Sequence, residues 1–145
     1  MKYSAYYVEE IDGVFSASIS ELELKKPSDG FVQIQVSCSS LNYKDALSAS
    51  GNKGVTRNYP FVPGIDAAGT ISDANSSNFV EGDEVLVTGY DMGMNTPGGF
   101  GEFINVPANW VVKKPSALTS IEAMSIGTAG LTAAASVLKI QESSQ

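Results

Sequence analysis

Along most of the first 113 residues, apolar and polar positions alternate in short runs separated by Gly, Pro, Asn and Ser. Period-2 alternation bounded by turn residues reads as half-buried β-strands. Tyr3 to Val8 and Val14 to Ile19 form the first pair, joined by the turn-prone Asp12-Gly13. Phe31 to Cys38 puts Val32, Ile34, Val36 and Cys38 on one face and Gln33, Gln35 and Ser37 on the other. Ala67 to Ser72, Glu84 to Thr88, Phe103 to Val106 and Trp110 to Val112 complete the set. Many short strands punctuated by Gly and Pro predict a small barrel or sandwich.

The period changes after Pro115. Thr119-Ser120-Ile121-Glu122 has the spacing of a capping box, in which hydroxyl and carboxylate each satisfy a free backbone N–H. Ile121 to Ile140 follows, apolar, rich in Ala and Leu and free of proline, and predicts one long helix. Its apolar positions fall on more than one side, so it asks for cover from more than a barrel. A shorter helix is expected after the third strand. There Asn42 is placed to cap and Asp45 to favour the first turn, where backbone N–H groups lack partners.

Composition narrows the chemistry. The 145 residues suit one domain with a real core, and 16 acidic against 9 basic side chains leave a net charge of −7. Phosphate neutralisation by Lys and Arg dominates nucleic-acid affinity, so a nucleic-acid partner is not expected. No uninterrupted apolar run approaches the roughly 20 residues of a bilayer span, and the N-terminus lacks a signal-peptide core. A cytoplasmic location with no membrane partner is the expectation. There is no histidine and one cysteine, which excludes Ser-His-Asp and Cys-His catalysis, an intramolecular disulfide, and a zinc site of four Cys or His ligands. Cys38, within an alternating strand, reads as a small buried hydrophobe.

Five pieces in order carry a resemblance: SSLNYKDAL at 39–47, YPFVPGIDAAGTI at 59–71, EGDEVLVTG at 81–89, GGFGEF at 98–103 and IGTAGLTAA at 126–134. Together they resemble the medium-chain dehydrogenase/reductase superfamily, in its zinc-independent quinone oxidoreductase and acrylyl-CoA reductase branch. The resemblance implies a mainly β fold: a GroES-like β-barrel over residues 1–116, then one long α-helix over 117–145. That helix would lead towards a Rossmann domain these residues do not contain. The Gly-rich segment Thr96 to Gly101 precedes a strand, the wrong context for cradling a pyrophosphate. On this reading the chain is the substrate-side part of a longer reductase, inactive alone.

The same resemblance implies NADP as cofactor and an enoyl-CoA (acrylyl-CoA) or quinone as substrate. Zinc alcohol dehydrogenases, which this chain also resembles, place a Cys ligand about where Asn42 lies and Gly-His-Glu where Gly64-Ile65-Asp66 lies. Amide and isoleucine cannot ligate as thiolate and imidazole do, so no metal is expected. The implied catalytic residues are Tyr43 and Asn42, and the implied cofactor contacts are Asn42, Tyr43, Asp45 and Thr128. Tyr43 reads equally as an aromatic plug, and Asn42 with Asp45 reads slightly better as a helix cap. Lys44 reads as solvated, and Asp66 as an acceptor for nearby backbone amides. A homodimer, or self-association through an exposed helix, is compatible with the pattern. The rival reading is a stand-alone GroES-like binding or assembly module without enzymatic activity.

Overall fold

A computed structural model describes residues 1–75 and 77–144. The chain opens with a long antiparallel ribbon, β1 (Lys2–Ile11) and β2 (Val14–Glu23). Asp12 and Gly13 both adopt positive φ, at 51° and 78°. Such a turn matches the right-handed twist of the strands it joins, which is why Asp-Gly is favoured there. The remaining strands are β3 (Phe31–Cys38), β4 (Asp66–Asp73), β5 (Glu84–Thr88), β6 (Phe103–Pro107) and β7 (Val112–Lys113). They form one antiparallel sheet in the order β6-β3-β4-β5-β7. The ribbon meets it through short bridges, Ala5 to Gly101 and Val8 to Phe61.

The fold is thus mainly β, as expected, with differences of detail. Trp110 lies in a 3₁₀ turn, Ala108–Trp110, and the strand that follows is only two residues long. Gln33 is buried although alternation put it on the polar face. Its carboxamide donates to the Lys25 carbonyl and the Asn105 side chain, and accepts from the Ser72 hydroxyl. Buried amides persist only when partnered in this way.

Val32, Ile34, Ala67, Ile71, Val85, Val87, Ile104 and Val106 build the core, one face of each of β3, β4, β5 and β6 turned towards it. Burying such a side chain stabilises the fold by roughly 1.5–3 kcal/mol. Cys38, expected to be buried, is half-exposed, because β3 leaves the sheet there and turns into the loop that carries Asn42.

Two helices frame one end of the sheet: α1 (Tyr43–Ala49) and α2 (Ser120–Ser143). The predicted capping box of α2 is present. Thr119 N–H donates to Glu122 Oε2 at 2.8 Å, and Glu122 N–H donates to Thr119 Oγ1 at 3.2 Å. Helical geometry is interrupted at Gly127, with φ 49° and ψ −160°. The first segment packs Ala123, Met124 and Gly127 onto the barrel; from Leu131 onward α2 is exposed, including Leu131, Val137, Leu138 and Ile140. Among the described residues, α2 is the one helix long and apolar enough to cross a bilayer. The run-by-run reading of the sequence did not register this, because Ser, Thr and Gly interrupt the apolar stretches without lowering their average much.

Candidate active site

The α1 end of β3, the start of β4 and the break in α2 converge on one carboxylate. Asp66 is the first residue of β4 and is completely buried. Its Oδ2 accepts from Ser40 Oγ at 2.7 Å and from Asn42 Nδ2 at 2.9 Å. Its Oδ1 accepts from Thr128 Oγ1 at 2.6 Å, and Thr128 N–H donates to Oδ2 at 3.0 Å. The main chain is held as well, the Ser39 hydroxyl donating to the Asp66 carbonyl. Every side chain on this carboxylate is a neutral donor.

Gly127 makes the arrangement possible. Its φ of 49° ends the first helical segment and frees the next N–H, that of Thr128, to reach Asp66. A Cβ at position 127 would lie 2.8 Å from both Asp66 Oδ2 and Ser40 Oγ. Both the left-handed φ and the missing Cβ are needed, and only glycine supplies both without strain.

Asp45 forms a second buried anchor, 2% exposed. Its Oδ1 accepts the Ile65 N–H at 2.9 Å and its Oδ2 accepts the Asn42 N–H at 2.8 Å. One carboxylate therefore fixes both the cap of α1 and the residue preceding Asp66. Burial pushes the Asp45 carboxyl above its ordinary range, against the lowering effect of its hydrogen bonds to Asn42 and Ile65. With both oxygens committed to backbone N–H groups inside the protein, Asp45 is placed to orient Asn42 rather than to touch a bound molecule. The expectation of a direct cofactor contact at Asp45 does not fit this geometry.

Of the other expected residues, Asn42 and Thr128 meet at Asp66, and Tyr43 is the first residue of α1. Asn42 caps α1 and turns its carboxamide N–H onto Asp66. Tyr43 is 81% exposed, so it is not the aromatic plug that one reading of the sequence allowed. Thr128 is half-buried on the α2 side. Ser40 was not foreseen; a lone serine in Ser39-Ser40-Leu41 carries no signal by itself. Asp66 had a signal, a charge directly before the apolar Ala67-Ala68, but nothing in the sequence announced four donors.

Two open clefts flank the Leu41-Asn42 loop. One, of about 550 Å³, is lined by Tyr6, Leu41, Asn42, Ala46, Ala49 and Phe100, together with Asp45. The other, of about 410 Å³, lies against α2 and includes Cys38, Ser40, Asn42, Met124 and Gly127. Asn42 is thus the polar edge shared by an apolar cleft and a helix-side cleft. A further cleft of about 440 Å³, beneath Tyr3, Tyr7 and Phe31, contains none of these residues.

Metal chemistry has little to work with here. Among the described residues no three His, Cys, Asp or Glu side chains lie together. Ile65 is in the apolar interior, Asn42 presents an N–H to Asp66, and both Asp66 oxygens are taken by donors. This donor set does not fit Zn²⁺. A nicotinamide fits better. Thr128 has spent its hydroxyl proton on Asp66 and keeps lone pairs, and Asn42 keeps a second N–H beside an open cleft.

Comparison with known proteins gives the family. The pattern of the alcohol dehydrogenase GroES-like domain matches residues 28–116. The chain belongs to that family. As a GroES-like domain of the medium-chain dehydrogenase/reductase superfamily, it is similar to the probable acrylyl-CoA reductase AcuI of Escherichia coli. Identity there is 41% over 138 residues, covering 95% of this chain and 43% of that protein. It is 46% identical over 116 residues to the putative quinone oxidoreductase YhfP of Bacillus subtilis, covering 80% of this chain and 35% of that one. Among solved structures, the yhdH oxidoreductase from Salmonella enterica in complex with NADP superposes with a TM-score of 0.90. It is 42% identical and covers 96% of this chain and 43% of that chain. Bacillus subtilis yhfP with NAD bound superposes with a TM-score of 0.91 at 37% identity, covering 98% of this chain and 43% of that chain. The chain spans less than half the length of these relatives.

Proposed function

We propose that this GroES-like domain supplies the substrate-side half of a nicotinamide-dependent reductase. Its substrate is an activated double bond, as in acrylyl-CoA and other enoyl-CoA thioesters, or a quinone, and it works without zinc. The observation that carries the proposal is the Ser40–Asn42–Asp66–Thr128 constellation, neutral donors converging on one buried carboxylate beside two open clefts. Relatives named as acrylyl-CoA reductase and quinone oxidoreductase, and neighbours with NADP or NAD bound, support it. NADP is the proposed form. Residues 1–116 would be the catalytic domain and 117–145 the start of the cofactor-binding part.

A bound nicotinamide supplies the hydride; this chain's residues do the rest. Thr128 Oγ1, its proton held by Asp66, acts as an acceptor towards a carboxamide N–H. Asn42, fixed through its backbone by Asp45 and through one side-chain N–H by Asp66, presents the second N–H to the developing enolate or phenolate oxygen. Tyr43, exposed and next to Asn42 in sequence, is proposed to donate through Oη to substrate or ribose. Leu41, Tyr6 and Phe100 give the substrate cleft an apolar lining.

The 145 residues alone are proposed to bind nicotinamide weakly and not to turn over. The test is a ¹⁵N chemical-shift titration with NADPH, followed by an NADPH-oxidation assay with acrylyl-CoA and a quinone. The expected shifts cluster at Asn42, Tyr43, Gly127 and Thr128, with no turnover. Shifts confined to the Tyr3–Tyr7 cleft, or robust turnover, would contradict the proposal.

A further inference from the structure

Asp66 is wholly buried, and its partners are Ser40 Oγ, Asn42 Nδ2, Thr128 Oγ1 and Thr128 N–H, none of them charged. All four point donors at the carboxylate, the pattern an ionised acceptor requires. The other buried carboxyl nearby, Asp45, adds no positive charge. Two of the four donors, Asn42 and Thr128, are the groups assigned above to substrate and nicotinamide. The charge therefore stands one hydrogen bond behind the cofactor site.

We infer that Asp66 is an electrostatic positioning residue that makes this site favour the oxidised, cationic nicotinamide over the reduced, neutral one. This rests on the nicotinamide reading and deepens it. Losing hydride turns the dihydropyridine ring into a pyridinium, with the electron pair leaving on the hydride and the positive charge staying on the ring. A fixed negative charge behind Thr128 stabilises that product of the cofactor half-reaction. The hydrogen bonds by themselves do not do this, because they hold side chains in place equally for both cofactor forms. Charge does, because only one form carries a charge on the ring. At an effective dielectric of about 20, a unit charge within about 10 Å changes relative affinity by about tenfold. The neutral donors between Asp66 and the clefts are aimed at Asp66 itself, so they leave this field uncompensated.

The experiment measures dissociation constants for NADP⁺ and NADPH separately, by protein-fluorescence quenching in the protein that carries this domain together with the length its relatives have. Wild type is compared with Asp66→Asn, Asp66→Ser and Asp66→Glu, each checked for folding by circular dichroism. A neutral variant is expected to raise the ratio Kd(NADP⁺)/Kd(NADPH) about tenfold. Asp66→Glu, which keeps the charge, holds that ratio near wild type even where both affinities fall. Thr128→Val removes a hydrogen bond without removing charge and weakens both forms alike. If the folded neutral variants weaken both forms by the same factor, the inference is wrong while the nicotinamide reading stands. If wild type binds neither form, both fall together. Two neutral replacements of different size keep the test open should one of them fail to fold.

Discussion

Gly127 is where a single atom decides the site. Replacing it with Ala sets a Cβ 2.8 Å from Asp66 Oδ2 and Ser40 Oγ and strains a φ of 49°. Gly127→Ala is expected to cost about 2–3 kcal/mol in urea unfolding, from backbone strain together with displaced hydrogen bonds to Asp66. Thr128→Val keeps the N–H contact but loses the hydroxyl, and is expected to cost about 1.5–3 kcal/mol, the range for a hydrogen bond to a charged group. Asp45 gives a pH signature of definite sign. Burial raises its carboxyl above the ordinary 3.8, so the folded state binds this proton more tightly than the unfolded state does. Its contribution to stability is therefore full below 3.8 and declines as pH rises through the raised folded value. Asp83 and Glu122, held below their ordinary range first by backbone N–H groups of Val80 and Thr119, change stability in the opposite sense as pH falls. The difference between wild type and Asp45→Asn isolates Asp45. Unfolding free energies from about pH 3 to 7 should show the wild-type advantage shrinking with rising pH, and a growing advantage would contradict the assignment.

At the scale of elements, strands were far more legible than the site. The β3 and β5 boundaries follow directly from apolar alternation, and Asp12-Gly13 marks the ribbon turn. Alternation failed at Gln33, because a loop carbonyl and a neighbouring strand supply partners that lie far away in sequence. The chemistry was legible at Asn42 and Thr128 only through resemblance, since convergence of residues 40, 42, 66 and 128 is a tertiary fact. The α2 break was hidden as well: Gly127 and Gly130 look alike in sequence, and only Gly127 leaves helical geometry. Beyond that break the helix is exposed, so replacing Leu131 and Val137 with Gln should change the stability of the β domain by no more than about 0.5 kcal/mol. Replacing Met124 with Ala, where the first segment docks, should cost about 2–5 kcal/mol. Equal effects at the two places, read by urea unfolding of the β core, would mean the outer segment is not independent.

For the whole molecule, one end of a β domain brings Asn42 and Thr128 together on a buried carboxylate, with Asn42 between two clefts and the exposed Tyr43 next to it in sequence. Division of labour follows from the positions. The sheet core fixes Asp66, and Asp66 fixes the loop and the helix break. The measurement that tests this most directly is NADPH-dependent reduction of acrylyl-CoA or a quinone after exhaustive chelation. It is made on the protein carrying this domain together with the length its relatives have. Turnover is expected to be undiminished without metal, and kcat to fall about a hundredfold for Asn42→Ala, the magnitude of losing one oxyanion donor. Turnover that vanishes on chelation and returns with Zn²⁺ would contradict it.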